Sequence, residues 1–89
     1  MNALEEHISR LVRESYEYDC RPAGRLEEAY EGHAFTLCYD VELCSVGVSG
    51  DGLPPFSEAE VERDLRRYRS RCLAQGEYRD FLYEEAYRY

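Results

Sequence analysis

Four cysteines, two histidines and an excess of carboxylates are the residues of this chain that could do chemistry. Cys20, Cys38, Cys44 and Cys72 are even in number and would permit two disulfides. Met1 to Arg10 lacks the layout of a secretory leader, so reduced thiols are expected. A structural zinc draws on ligand pairs at short spacing, which fix two vertices of the tetrahedron locally. No Cys-x-x-Cys occurs, and His7 and His33 lie in unrelated places, so neither metal nor cofactor is expected. Cys38 and Cys44 share strand parity and would face one side if a single strand ran through both.

Nucleophilic catalysis needs a thiol or hydroxyl beside a positioned base. His33 falls in an expected tight turn, where a histidine is ordinarily solvated. His7 flanks the apolar face of an expected N-terminal helix, where packing is its ordinary role. Gly47, Gly50 and Gly52 lead into Pro54-Pro55, and with no lysine in the chain they make no phosphate-binding loop. Glu5-Glu6, Glu27-Glu28 and Glu84-Glu85 fit solvated positions. The expected class is therefore not an enzyme. A small enzyme pairing Cys38 or Cys44 with a histidine stands as an alternative.

Charge narrows the partners. The 89 residues carry a net charge of −8, and all eleven bases are arginine. Residues 1–33 hold −4, residues 34–56 hold −3 with no base at all, and residues 57–89 hold −1. Binding to nucleic acid or an anionic membrane needs a basic footprint, so neither is expected to be a direct partner. No run approaches the roughly 20 apolar residues of a membrane span, and a cytoplasmic protein is expected. Leu, Ile, Val and Phe number only 18 of 89, so the nine tyrosines and the cysteines must share the core of one compact domain, residues 1–89.

The elements that must position these groups follow from local signals. Asn2 suits an N-cap, and Leu4, Ile8, Leu11, Val12 and Ser15 share one face of a helix to about Tyr18. Pro22 and Gly24 mark the turn that ends it. Phe35, Leu37, Tyr39, Val41 and Leu43 alternate with polar or small residues, which predicts one strand through Cys44. Leu26 to Tyr30 can pair back on it across Glu31-Gly32-His33, although this segment also suits a helical turn. Beyond Leu43 the apolar phase shifts to Cys44, Val46 and Val48, as a bulge or a bend into a third strand would require.

Ser57 and Glu60 have capping-box spacing, with Phe56 and Val61 placed as a hydrophobic staple. Val61, Leu65, Tyr68 and Cys72 form the buried stripe of the helix they open. Gly76 suits its C-cap, with a further helix from Glu77 carrying Tyr78, Phe81, Leu82 and Tyr89 on one side. The fold class is thus α+β: a small antiparallel sheet of two or three strands packed by an N-terminal helix and two C-terminal helices, in the order α-β-β-(β)-α-α. That order is similar to the topology of double-stranded-RNA-binding domains. Such domains contact phosphates from basic positions, whereas this chain is acidic at its centre, so the similarity implies nothing about function.

Three surfaces remain as binding candidates. Arg63, Arg66, Arg67 and Arg71 lie opposite the apolar stripe of the second helix. They form either a docking site or one side of the intrahelical pairs Glu60–Arg63, Glu62–Arg66 and Asp64–Arg67. Tyr83 and Tyr87 lie four apart, away from the other aromatic residues of the last helix, as anchors at an interface would. Asp40 and Glu42 on one strand face would stand about 7 Å apart, close to the spacing of successive phosphates. Together with Glu27, Glu28, Glu31 and Asp51 they would offer negative charge to a basic protein surface, including that of nucleic-acid-handling machinery.

The expected function is a non-enzymatic inhibitor that occludes such a surface, of the phage anti-CRISPR or anti-restriction type. A structural or antitoxin-like subunit pairing through its helices is the other alternative, and a homodimer is compatible with either.

Overall fold

A computed structural model of the chain describes the backbone of residues 1–87 and the side chains of residues 1–72. The order is α1 (Ala3–Asp19), β1 (Ala23–Tyr30), β2 (His33–Asp40), β3 (Ser45–Ser49) and α2 (Glu58–Tyr87). The three strands form one antiparallel sheet in the order β1-β2-β3. This is a small α+β fold.

The start of α1 is fixed by Asn2. Its side chain accepts the Glu5 N–H at 2.9 Å, and Glu5 returns a carboxylate oxygen to the Asn2 N–H at 2.7 Å. Satisfying two otherwise orphaned donors at once is the capping box. Leu4, Ile8, Val12 and Ser15 then meet at helical spacing on the buried face, with Leu11 half-buried beside them. The helix ends at Cys20, which adopts the left-handed conformation (φ 55°) and sends its N–H back to the Ser15 carbonyl.

The hairpin is longer and tighter than expected. β1 begins at Ala23, so residues 25–30 are strand rather than helix. Tyr30 pairs with His33, leaving Glu31 and Gly32 as a two-residue turn with φ of 51° and 82°. Positive φ at both positions is the I′ geometry that matches the right-handed twist of the flanking strands. His33 is therefore the first residue of β2 and lies outside the turn.

The single strand expected through Cys44 is not formed. β2 stops at Asp40, whose Oδ1 accepts the Leu43 N–H at 3.0 Å and folds Val41–Cys44 into a turn. Such local capping by an aspartate competes directly with strand pairing. Cys44 closes the turn in the left-handed conformation (φ 53°), and β3 runs from Ser45. The inward phase therefore passes from Phe35, Leu37, Tyr39 and Val41 to Cys44, Val46 and Val48, while Leu43 is 76 % exposed. Of the two explanations for the phase slip, the bend into a third strand is the one observed.

The core lies on one face of the sheet. Leu4, Ile8 and Val12 of α1 and Val61 and Leu65 of α2 pack with Phe35, Leu37, Tyr39 and Val46. Burying each such side chain contributes about 1.5–3 kcal/mol. Polar contacts then set how the layers are joined. Ser15 and the Tyr39 hydroxyl lie 2.5 Å apart inside the core. The Tyr68 hydroxyl donates to Glu17 at 2.7 Å and ties α2 to the end of α1. Burial, then the Glu17 bond and then the nearby Cys72 thiol push the Tyr68 hydroxyl well above its usual pKa.

α2 extends as one element past Gly76, in place of the two C-terminal helices expected. Val61, Leu65 and Tyr68 are buried and Cys72 half-buried, as its apolar spacing requires. Its opening departs from the full capping box: the Glu60 N–H does reach the Ser57 hydroxyl at 3.3 Å, but the Ser57 N–H goes to Glu5.

Candidate partner-binding site

The acidic residues expected to act together are divided among three places. Asp40 and Glu42 stand at the β2–β3 turn, Asp40 occupied in capping Leu43 and Glu42 exposed. They do not share a strand face, because Glu42 lies beyond the end of β2. The evenly spaced, phosphate-like pair is therefore not what the chain builds. Glu31 sits at the opposite end of the sheet, in the hairpin turn. Asp51 is at that same end, held by its two neighbours. A Cβ on Gly50 would lie 2.7 Å from the Ala34 carbonyl oxygen, and one on Gly52 would lie 2.5 Å from the His33 ring. The loop thus reaches the start of β2 only because both positions lack a side chain.

Glu27 and Glu28 are adjacent and face opposite ways, as the period of two demands. Glu27 is exposed on the outer sheet face beside Arg25, 3.7 Å away, with both side chains mostly in water. An exposed pair of that kind contributes roughly 0–1 kcal/mol. Glu28 turns inward and lines a cleft of about 260 Å³ between β1 and the C-terminal half of α1. Glu14 and Asp19 line the same cleft, with Leu11, Leu26 and the largely exposed Tyr18 between them. Periodicity placed Leu11 on the apolar face of α1 and Glu14 at no site. Only the packing of α1 against β1 brings the three carboxylates together.

The arginine surface resolves in part. Arg63 pairs with Glu60 at 3.3 Å, as the spacing suggested. The other two expected pairs are not formed, because their acids are used across the tertiary structure. Glu62 accepts the Val46 N–H of β3 at 3.0 Å, and Asp64 accepts the Ser9 hydroxyl of α1. Arg69 contacts the Cys44 thiol at 3.9 Å. Arg66, Arg67 and Arg71 are exposed and have no ion pair among the described residues. Tyr83 and Tyr87 lie outside the described side chains.

For chemistry the described residues give little. The cysteines are free, Cys20 and Cys38 exposed, Cys72 half-buried and Cys44 buried. Cys38 faces out of the sheet and Cys44 into the core, so they do not face one side. Among the described residues no three His, Cys, Asp or Glu side chains gather as a metal site would require. The His7 ring packs 5.4 Å from that of Tyr30 and 6.5 Å from that of Phe35, and its buried Nε2 has no hydrogen-bond partner among the described residues. Among the described residues no helix is long and apolar enough to cross a membrane.

The fold and these surfaces define a two-layer α+β protein, with helices on one sheet face and a partly apolar acidic cleft at one edge. No family model, no curated protein and no solved structure matches the chain.

Proposed function

We propose that this protein is a non-enzymatic binder of basic protein surfaces, acting by occlusion as a small inhibitor of nucleic-acid-handling machinery does. Phage inhibitors of host defence, of the anti-CRISPR and anti-restriction kind, are the class this describes. One observation carries the reading: the carboxylates are largely unneutralised. Through Cys72 the chain has fifteen acids and nine arginines. Among the described residues only Arg25–Glu27 and Glu60–Arg63 form ion pairs. Exposed charge left unpaired stabilises the fold little and is free to steer a partner of opposite sign.

The test compares the native chain with an Asp40→Asn, Glu42→Gln, Asp51→Asn variant as bait in a prokaryotic lysate, at two salt concentrations. The expected result is a nucleic-acid-binding protein retained by the native chain at low salt and retained less by the variant. An identical set of captured proteins from both baits would defeat the proposal. Arg66, Arg67 and Arg71, without an ion pair among the described residues, favour a second reading, in which α2 docks on an acidic surface, a second copy included. A mass in solution above that of one chain, lost on Arg→Gln replacement of the three, would select it.

A further inference from the structure

The two edges of the sheet differ. In an antiparallel pair, residues alternate between those that exchange hydrogen bonds with the partner strand and those that point their N–H and C=O away. A two-residue hairpin makes Tyr30 and His33 a bonded pair, so Glu28–Phe35, Leu26–Leu37 and Gly24–Tyr39 are bonded as well. Tyr39 then turns its other side to Val46 as a non-bonded pair, which leaves the Val46 N–H facing outward. The Glu62 carboxylate of α2 meets that N–H and occupies part of the β3 edge, while the outward groups of Val48 carry no hydrogen bond among the described residues. On β1 the outward groups belong to Ala23, Arg25, Glu27 and Ala29. No hydrogen bond reaches them among the described residues.

An open strand edge is a template for another strand. We infer that the β1 edge receives an extended basic segment of a partner protein, which joins the sheet as a fourth strand. Its inward side chains enter the cleft between β1 and α1. The inference rests on the acidic-binder reading and names its contact element.

The cleft states the chemistry of the occupant. Glu14, Asp19 and Glu28 supply three carboxylates with no base in the lining, while Leu11, Leu26 and Tyr18 supply apolar surface. A strand alternates its side chains, with same-face residues about 7 Å apart. The fitting segment therefore carries arginine or lysine at two inward positions, with an aliphatic residue between them. A second copy of this chain fits poorly. Its own β1 would bring another Glu28 toward Glu14 and Asp19, and each copy carries −8.

The probe is a labelled peptide, Thr-Arg-Thr-Val-Thr-Arg-Thr with blocked ends, titrated with the full chain by fluorescence anisotropy. Its control is the same peptide N-methylated on alternate residues, in both alternations, which keeps the charge and removes strand hydrogen bonds. One N-methylated form should bind about tenfold more weakly, the loss expected for one or two backbone bonds. Glu14→Gln, Asp19→Asn, Glu28→Gln together should weaken binding by a similar factor and flatten its salt dependence. Hydrogen exchange on binding should slow at the amides of Arg25, Glu27 and Ala29.

Equal affinity for both N-methylated forms and the parent would overturn strand addition, and an unaffected cleft variant would overturn the cleft. Failure of the peptide to bind, or protection of the same amides by self-association alone, would overturn the proposal as a whole. Neutralising Asp40, Glu42 and Asp51, which do not line the cleft, should leave peptide affinity unchanged. That separates the two ideas: charge-dependent capture can survive while the β1 edge fails.

Discussion

Glu5, only 6 % exposed, joins the starts of both helices with one carboxylate. Oε1 accepts the N–H of Asn2, the residue that caps α1, and Oε2 accepts the Ser57 N–H at 2.6 Å, one residue before α2. The Asn2 bond, and after it the Ser57 bond, hold the carboxyl below its usual value of 4.5.

A lowered folded-state pKa gives a definite pH dependence. The contribution of Glu5 to stability is complete above about pH 4.5 and is lost as pH falls through the lowered value. Glu5→Gln should therefore lower Tm at neutral pH, and the gap from the native chain should narrow as the buffer is taken toward pH 3. Melting curves across that range are the check; a gap constant with pH would show that the charge of Glu5 is not what joins the helices.

Acids on α2 should matter more than the arginines once expected to pair with them. Glu62 caps the outward Val46 N–H of β3 and Asp64 meets the buried Ser9. Glu62→Ala should cost about 1–3 kcal/mol, since it strands a backbone donor. Arg66→Ala and Arg67→Ala should each stay within about 0.5 kcal/mol, as surface substitutions do. Urea denaturation of the single variants ranks them, and equal costs across the set would restore intrahelical pairing as the main role of these acids.

Glu31 occupies a left-handed position in which a Cβ crowds the following carbonyl oxygen, and Asn or Gly adopts it at lower cost. Glu31→Asn should raise stability by up to about 1 kcal/mol, by relieving part of the left-handed penalty. Its charge is one of the candidate contacts, so the same variant should also bind a basic partner more weakly. Gain in one assay with loss in the other is the expected signature.

Gly50 allows no substitution without movement. A Cβ there would stand 2.8 Å from the Phe35 Cβ as well as against the Ala34 carbonyl. Gly50→Ala should cost about 1–3 kcal/mol by overpacking, whereas Gly47→Ala meets nothing within 4 Å and should be mild. Thermal melts of the pair test whether the Asp51 loop is docked; equal small losses would show that it is not.

The thiols should react in the order of their exposure. Cys20 and Cys38 should alkylate before Cys44, which is 4 % exposed and bonded to the Val41 carbonyl at 3.3 Å. Mass spectrometry of partly iodoacetamide-labelled native protein reads the order directly. An unusually fast Cys44 at neutral pH would favour the Cys/His enzyme alternative.

Most of the elements were determined by residues within a few positions of one another. The Asn2–Glu5 box, the Glu31-Gly32 turn and the apolar spacing of α1 and α2 are local, so their physics is complete in a short stretch of chain. The alternation from Phe35 was equally local, and it misplaced Leu43, because a pattern cannot register that Asp40 caps its own turn. The candidate site was legible only as charge. Which carboxylates are free, and which gather at an edge, depended on partners far along the chain. Ser57 bonds to Glu5 from 52 positions away, and Asp64 to Ser9 from 55. Spacing at three and four residues predicted pairs for Glu62 and Asp64 that are worth only about 0.2–0.5 kcal/mol each. An unmet backbone amide or buried hydroxyl costs about 1–3 kcal/mol, so the tertiary partners took both acids and left the arginines in water.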